Sequence, residues 1–531
     1  MKRLKKFGLF AGFVFLALGA ASSRSVPAQD TLTPAERRGK QIYVQGISPS
    51  NREILAYVGG SSLEIPGKDM PCASCHGVDG RGKPEGGISP SDIRPEYLTK
   101  PYGLTHPDGR KHPPYTDRGL ELAITRGTDP AGNRLLNVMP RYAMSREDLA
   151  DLVAYLRRLG SDRDPGITET SIVIATAIPE TGPLAGMGEA IKAVTIAFFD
   201  NLNKQGGVFN RQIEVKFVAT AATAAGTRAN FERLFGNEPV FAMSGALIAG
   251  SEKEIVSLMA QKEVPLIGPV TLYPQTGFPL NRQIFYLFAG IDGQARALID
   301  FAASKPELKN RGFVVVYAPS EINTTVVEAL KEQSKKDGLS ALQTYRYESG
   351  RVDAAEAVKQ LKQKGLDAVF FLGNTGEVLS FMREADKLGW FPSIFLPGPG
   401  AGQEIFSAPA DFNGKVFLSF PTSPADQTAE GIGEFRALAE KYKLPTKHVA
   451  VQLSTYSAAK IFVEALKRAG RDLSREKLIQ ALEGFYEYPT GLTPAITYGP
   501  NRRIGAMGAY VITIDLKKQQ FVPASGWINI N

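Results

Sequence analysis

The chain has 531 residues, 43% of them hydrophobic, and a formal net charge of +8. Lys2, Arg3, Lys5, Lys6 and Arg24 fall within the first 28 positions with no acidic residue among them, so the remainder carries only +3. That balance lacks the concentrated basic face that nucleic acid requires, and the length suits roughly three domain-sized units.

The N-terminus reads "MKRLKKFGLFAGFVFLALGAASSRSVPAQD". Basic residues precede an apolar run from Phe7 to Ala21, and Val26-Pro27-Ala28 places small residues where a signal peptidase reads. The run is shorter than the roughly 20 apolar residues of a membrane span. We expect a cleaved signal peptide over residues 1–28 and a soluble periplasmic mature protein.

Residues 71–80, "PCASCHGVDG", contain Cys72 and Cys75, the only cysteines in the chain. A disulfide three residues long would remove little chain entropy. A redox pair of the thioredoxin type belongs at a strand-to-helix junction, whereas the flanks here are loop-like. A structural zinc site takes four ligands, and beyond His76 only His106, His112 and His448 remain as histidines. C-x-x-C-H is the attachment sequence of c-type haem. It uses every feature: two thiols for two thioethers to one haem, and His76 beneath the iron. An electron-transfer haem needs a sixth ligand, and methionine gives a higher potential than histidine. "NVMPRYAMSREDLADLVAYLRRLG" supplies Met139 in a loop. Ser145 with Asp148 then begins a helix, with Leu149, Leu152, Val153, Leu156 and Leu159 on one face. His106, His112 and Met144 remain alternative ligands. In the Pro/Gly/Tyr-rich stretch between motif and loop, Tyr102 and Tyr115 are hydrogen-bonding candidates for a haem propionate. Arg134 and Arg141 are ion-pairing candidates.

With "PAERRGKQIYVQG", "PCASCHGVDGRG", "MPRYAMS" and "DLVAYLRRLG" in this order, residues about 34–160 resemble a monohaem class I cytochrome c. The resemblance implies a small all-α domain over 29–160, Met139 as distal ligand, and packing between the first and last helices.

"GSDRDPGIT" reads as a linker over 161–168. Beyond it, buried-strand runs such as "SIVIATAIP", "PLIGPV", "GFVVVYAPS" and "DAVFFLGN" alternate with helical patterns. One helix aligns Ile191, Val194, Phe198 and Leu202. Such alternation predicts parallel sheets flanked by helices, and the number of strands predicts two lobes. The stretches "IPETGPLAGMGEAIKAVTIAFFDNLNKQGGVFNRQIEV", "SGALIAGSEKEIVSLMAQKEVPLIGPVT" and "DAVFFLGNTGEVLSFMREADKLGWFP" resemble the type I periplasmic binding proteins of the leucine/isoleucine/valine branch, over about 169–531. The resemblance implies a two-lobed α/β fold with crossings near Ala289-Gly290, Thr422-Ser423 and Tyr498-Gly499. Ligands collect at strand carboxyl ends in such sheets, which makes Thr181, Ala246, Thr271, Tyr317 and Asn374 the candidate ligand-binding residues. The stretch "YAPSEINTT" and the bulky "VTLYP" depart from the amino-acid binders. No obvious carboxylate awaits an α-ammonium, Glu180 and Glu377 being the only candidates, so an organic acid, amide or aromatic ligand is open.

Together these features predict a non-enzymatic periplasmic electron carrier fused to a solute-binding module, with a dehydrogenase or oxidase as redox partner and a small molecule as ligand. The alternatives are a transporter component with an accessory haem and an ABC permease partner, or haem-linked oxidation of the cleft ligand.

Overall fold

The computed structural model describes residues 32–530 except 60–62, 83, 85, 107–108, 310, 340, 349, 351 and 399–400. The expected signal peptide lies outside the described residues. Among those described, no helix is long and apolar enough to cross a membrane. The chain divides into two compact units between Asp162 and Arg163.

In the first unit, helix Pro34–Gln45 begins at a capping box. The Thr33 hydroxyl accepts from the Glu36 N–H while the Glu36 carboxylate accepts from that of Thr33. Helix Arg146–Leu156 begins with the Ser145 hydroxyl accepting from the Asp148 N–H. The two helices cross at Gly39, where an added Cβ would lie 1.9 Å from the Asp151 carbonyl oxygen and 2.8 Å from the Tyr155 Cβ. The Arg38 guanidinium forks the Asp151 carboxylate at 2.6 and 2.8 Å beside this crossing. Ile42, Tyr43, Leu152, Val153, Leu156 and Leu159 are buried between the helices and their neighbours. Two small ladders accompany the helices. Leu55–Tyr57 lies between Glu64–Pro66 and Arg141–Ala143 in an antiparallel sheet, and Leu104–Thr105 pairs with Lys111–His112. Strands of two or three residues are too short to show a period-two pattern in the sequence.

The second unit holds two sheets. The first runs in the order Ile504–Ala506, Ile284–Phe288, Leu266–Ile267, Ala242–Ser244, Ser171–Ile178, Gln212–Ala219, parallel throughout. The second runs Gln343–Arg346, Phe313–Tyr317, Ala368–Leu372, Ser393–Pro397, Val416–Phe420, Gly508–Asp515, Gln520–Asn529, and is parallel except that Gly508–Asp515 pairs antiparallel with both of its neighbours. The strands buried on both faces are continuous apolar runs, as helix-covered parallel sheets require. The chain passes between the sheets after Phe288, after Phe420 and at Met507. The last crossing corrects the position expected at Tyr498-Gly499. Gly499 and Arg502 exchange backbone hydrogen bonds in a tight reversal, and Ile504–Ala506 still pairs with the first sheet. The Gly/Pro signal there marks a turn within one lobe.

The helix crossing generates a prediction. Gly39→Ala forces backbone separation and should cost at least about 2 kcal/mol of stability in the first unit. Gly433→Ala, on a helix with nothing within 4 Å of the new methyl, should gain about 0.5–1 kcal/mol. Denaturant unfolding of each variant measures both.

Candidate functional site

Pro71 precedes the single helical turn Cys72–His76, which ends at Gly77 with a φ of 74°. Two tyrosines clamp it. The Tyr43 hydroxyl donates to the Gly77 carbonyl at 2.6 Å, and the Tyr142 hydroxyl donates to the Met70 carbonyl at 2.7 Å. Burial holds both phenols protonated, far above the ordinary tyrosine range.

The turn forms one wall of a cavity of about 300 Å³. Cys72, Cys75, His76 and Met139 all line it, with walls that include Ile93, Leu98, Leu120, Ile124, Leu152 and Leu156. The thiols are free, and burial pushes that of Cys72 up to about 12. Among the described residues no group of three or more His, Cys, Asp or Glu is arranged to hold a metal ion.

His76 Nδ1 stands 3.0 Å from the Ser91 carbonyl oxygen. A carbonyl only accepts, so Nδ1 carries the proton and the lone pair is on Nε2. Burial lowers the His76 pKa and keeps the imidazole neutral, the form that ligates a metal. Opposite, the Arg141 guanidinium donates to the Leu135 carbonyl at 2.9 Å and also to the Met139 carbonyl, and so fixes the methionine loop. These residues fit a haem: an apolar slot, two thiols on one helical turn, an oriented imidazole and a thioether.

The other candidates separate. Met144 packs against the hydrophobic cluster instead of lining the cavity. Tyr115 lines it, whereas Tyr102 is 83% exposed. Arg134 is exposed, and Arg141 is committed to loop carbonyls. His106 and Arg110 line the cavity. Arg110 has no signal in the sequence, because a basic residue in a turn fits no pattern of its own.

In the second unit the five candidate ligand residues have separate surroundings. Thr181 is exposed at a loop. Ala246 is fully buried in an apolar cluster. The Thr271 hydroxyl donates to Glu252 Oε1 at 2.7 Å. Tyr317 is 3% exposed, and its hydroxyl accepts from Arg346 Nε at 2.9 Å. Asn374 caps a helix in a reciprocal box with Glu377. None lines the pocket of about 190 Å³ beside the crossings, which is bounded by Phe288, Thr422, Ser423, Gln427, Ser454 and Thr493 among others and has no charged side chain in its lining. Strand-end position alone pointed to the former set. The pocket is built from crossing segments and the start of helix Val449–Ala469.

The periplasmic binding protein family model matches residues 171–520, more than half of the chain. The chain belongs to the periplasmic binding protein family. The cytochrome c model matches residues 68–160, so this family member carries a cytochrome c domain ahead of its binding domain, and haem binding follows from that domain. The leucine-, isoleucine-, valine-, threonine- and alanine-binding protein of Pseudomonas aeruginosa is 22% identical over 324 residues, covering 60% of this chain and 84% of that protein. The Leu/Ile/Val-binding protein homolog 3 of Brucella melitensis is 22% identical over 300 residues, covering 56% and 79%. A branched-chain amino acid ABC transporter structure from Thermus thermophilus with bound valine superposes with a TM-score of 0.56 at 20% identity, covering 68% of this chain and 98% of that one. A fatty acid ABC transporter substrate-binding protein from Thermomonospora curvata also gives 0.56, at 19% identity, covering 70% and 95%. These structures share the fold.

Removing the hydroxyl in Tyr43→Phe deletes the clamp on the Cys72–His76 turn at unchanged packing. The expected cost is about 1 kcal/mol of unfolding free energy, measured by denaturant titration of the haem-loaded protein.

Proposed function

We propose that the first unit is an electron carrier in which Cys72 and Cys75 would attach one haem c covalently and His76 and Met139 would ligate its iron. The observation that carries this reading is the convergence of all four residues on one apolar cavity, with His76 Nε2 left as the coordinating atom by the bond at Nδ1. Bound there, the haem would supply a one-electron redox couple. The protein's part is orientation and exclusion of water. The Ser91 carbonyl fixes the ring plane of His76 and makes it more basic, Arg141 holds the Met139 loop, and the apolar walls with a thioether ligand favour a raised potential. The signal peptide expected over 1–28 and membership of the periplasmic binding protein family support a periplasmic location, with a dehydrogenase or oxidase as electron partner.

The second unit is read as a small-molecule receptor whose site includes the pocket beside the crossings. Filling a pocket lined by Phe288, Thr422, Ser423, Pro424 and Gln427 bears directly on the segments about which two lobes would close. The pocket offers hydroxyls and an amide but no ionic partner for an α-carboxylate or α-ammonium, which favours a small neutral polar ligand over a free amino acid. Delivery of that ligand to an ABC permease is the second reading, favoured by the transporter proteins that share the fold.

Two experiments test these readings. Met139→Ala should abolish the low-spin spectrum and lower the midpoint potential while Met144→Ala leaves both unchanged; the reverse pattern contradicts the ligand assignment. In a thermal-shift panel of amides, alcohols, organic acids and amino acids, a ligand at a hundred times its Kd should add about 2.7 kcal/mol to the stability of the folded state. The neutral compounds should give the shift and Gln427→Leu should reduce it. A response to branched-chain amino acids alone, unaffected by Gln427→Leu, contradicts the pocket reading.

A further inference from the structure

Five polar side chains line the pocket beside the crossings: Thr422, Ser423, Gln427, Ser454 and Thr493. Three of them are already engaged with the protein. The Ser454 hydroxyl donates to the Ala450 carbonyl at 3.0 Å. The Thr493 hydroxyl donates to the Pro494 carbonyl at 3.0 Å and stands 2.7 Å from that of Thr490. The Ser423 hydroxyl accepts from the Ala425 N–H at 3.2 Å. The Thr422 hydroxyl and the Gln427 carboxamide have no hydrogen-bond partner among the described residues. Gln427 is half-buried, and its oxygen and two N–H groups are left to meet whatever fills the cavity.

The turn that carries Gln427 is tied on both sides. The Gln427 N–H donates to the Pro424 carbonyl at 3.2 Å, and the Thr428 N–H donates to the Gly491 carbonyl at 3.0 Å. The Asp426 carboxylate accepts from the Ser423 N–H at 2.7 Å and from the Tyr510 hydroxyl. Tyr510 stands on strand Gly508–Asp515, just past the third crossing, with its ring 5.1 Å from that of Trp527. An uncommitted carboxamide on a fixed backbone recognises its partner by direction as well as by charge.

We propose that this pocket takes a small ligand with a primary carboxamide, or the same edge in a ureido group, paired with the Gln427 carboxamide. The inference rests on the pocket reading above. A carboxamide presents an acceptor and a donor side by side. A second carboxamide satisfies both at once. A ketone or a carboxylate supplies acceptors only and leaves the Gln427 oxygen unpaired, and an alcohol offers one atom for the two. The second N–H of a primary amide needs its own acceptor, which the Thr422 hydroxyl supplies. Phe288, Leu453 and Leu492 give the lining its apolar part, and a cavity of about 190 Å³ limits the rest of the ligand to a short aliphatic group. With no charged side chain in the lining, an ionic ligand would lose its hydration without gaining a partner.

The test is isothermal titration calorimetry of the haem-loaded full chain with propionamide, butanone and propionate, in which a methyl or an oxygen replaces the amide nitrogen. Propionamide should bind. The other two should bind at least about tenfold more weakly, because each leaves a Gln427 group unpaired. Gln427→Leu should remove that preference. Tyr510 is outside the lining, and Tyr510→Phe, which releases Asp426, should narrow the preference while the haem spectrum and far-UV circular dichroism stay unchanged. Equal affinity for butanone and propionamide overturns the carboxamide assignment and leaves the pocket reading standing. So does a Gln427-dependent thermal shift given by alcohols or organic acids alone. Propionamide bound equally well by Gln427→Leu overturns both, as does a chain that binds no neutral compound. If Gln427→Leu does not fold, the three affinities in the unmodified chain decide.

Discussion

The crossing at Gly39 is the constraint on which the first unit depends. Only a residue without a side chain lets helix Pro34–Gln45 approach the backbone of Asp151 and the Cβ of Tyr155 so closely. The approach fixes Tyr43 one turn later, with its ring 5.6 Å from that of Tyr155 and its hydroxyl on the Gly77 carbonyl. Gly77 ends the turn that carries Cys72, Cys75 and His76. A contact between chain-distant helices therefore sets the position of the cysteine–histidine wall, and Leu152 and Leu156 of the second helix supply part of the opposing apolar surface. The ion pairs at the crossing, such as Arg38–Asp151 with the arginine half exposed, add specificity more than stability.

The same unit is organised for a single ligand geometry. His76 has one tautomer available because Ser91 offers a carbonyl at Nδ1, and the methionine loop is held by Arg141 on two carbonyls. Preorganisation of this kind reduces the rearrangement that accompanies a change of iron charge, which suits electron transfer. The second unit has the opposite design. Its two sheets are joined at three crossings, and across the lobes Lys253 of helix Glu252–Lys262 meets Glu321 of helix Glu321–Lys336 in an exposed ion pair. Such a pair is cheap to break.

Much of this was legible in the chain. Cys72, Cys75 and His76 carry their chemistry within the single short stretch Cys72–His76. Leu152, Val153, Leu156 and Leu159 announce a buried face by spacing, and apolar runs such as Phe313–Tyr317 announce covered parallel strands. The alternation of strands and helices gave the two-lobed α/β fold. What escaped is what depends on contacts between distant segments. Gly39 reads as an ordinary helix interior until Asp151 is placed against it. His106 and His112 read as possible iron ligands, and their engagement with one another appears only when the ladder of Leu104–Thr105 with Lys111–His112 folds. Arg141 reads as a propionate partner but turns back onto its own loop. The neutral pocket at Thr422, Gln427 and Ser454 is assembled from segments far apart in the chain, and no local pattern marks it.

The central claim is a haem fastened to this chain by the two cysteines. The most direct measurement is the intact mass of the full chain, matured in a host competent for cytochrome c assembly and analysed under fully denaturing conditions. The account predicts a mass greater than that of the processed polypeptide by one haem, and loss of that increment when Cys72 and Cys75 are both replaced by serine. A polypeptide of unmodified mass, or a haem that dissociates on denaturation, contradicts it.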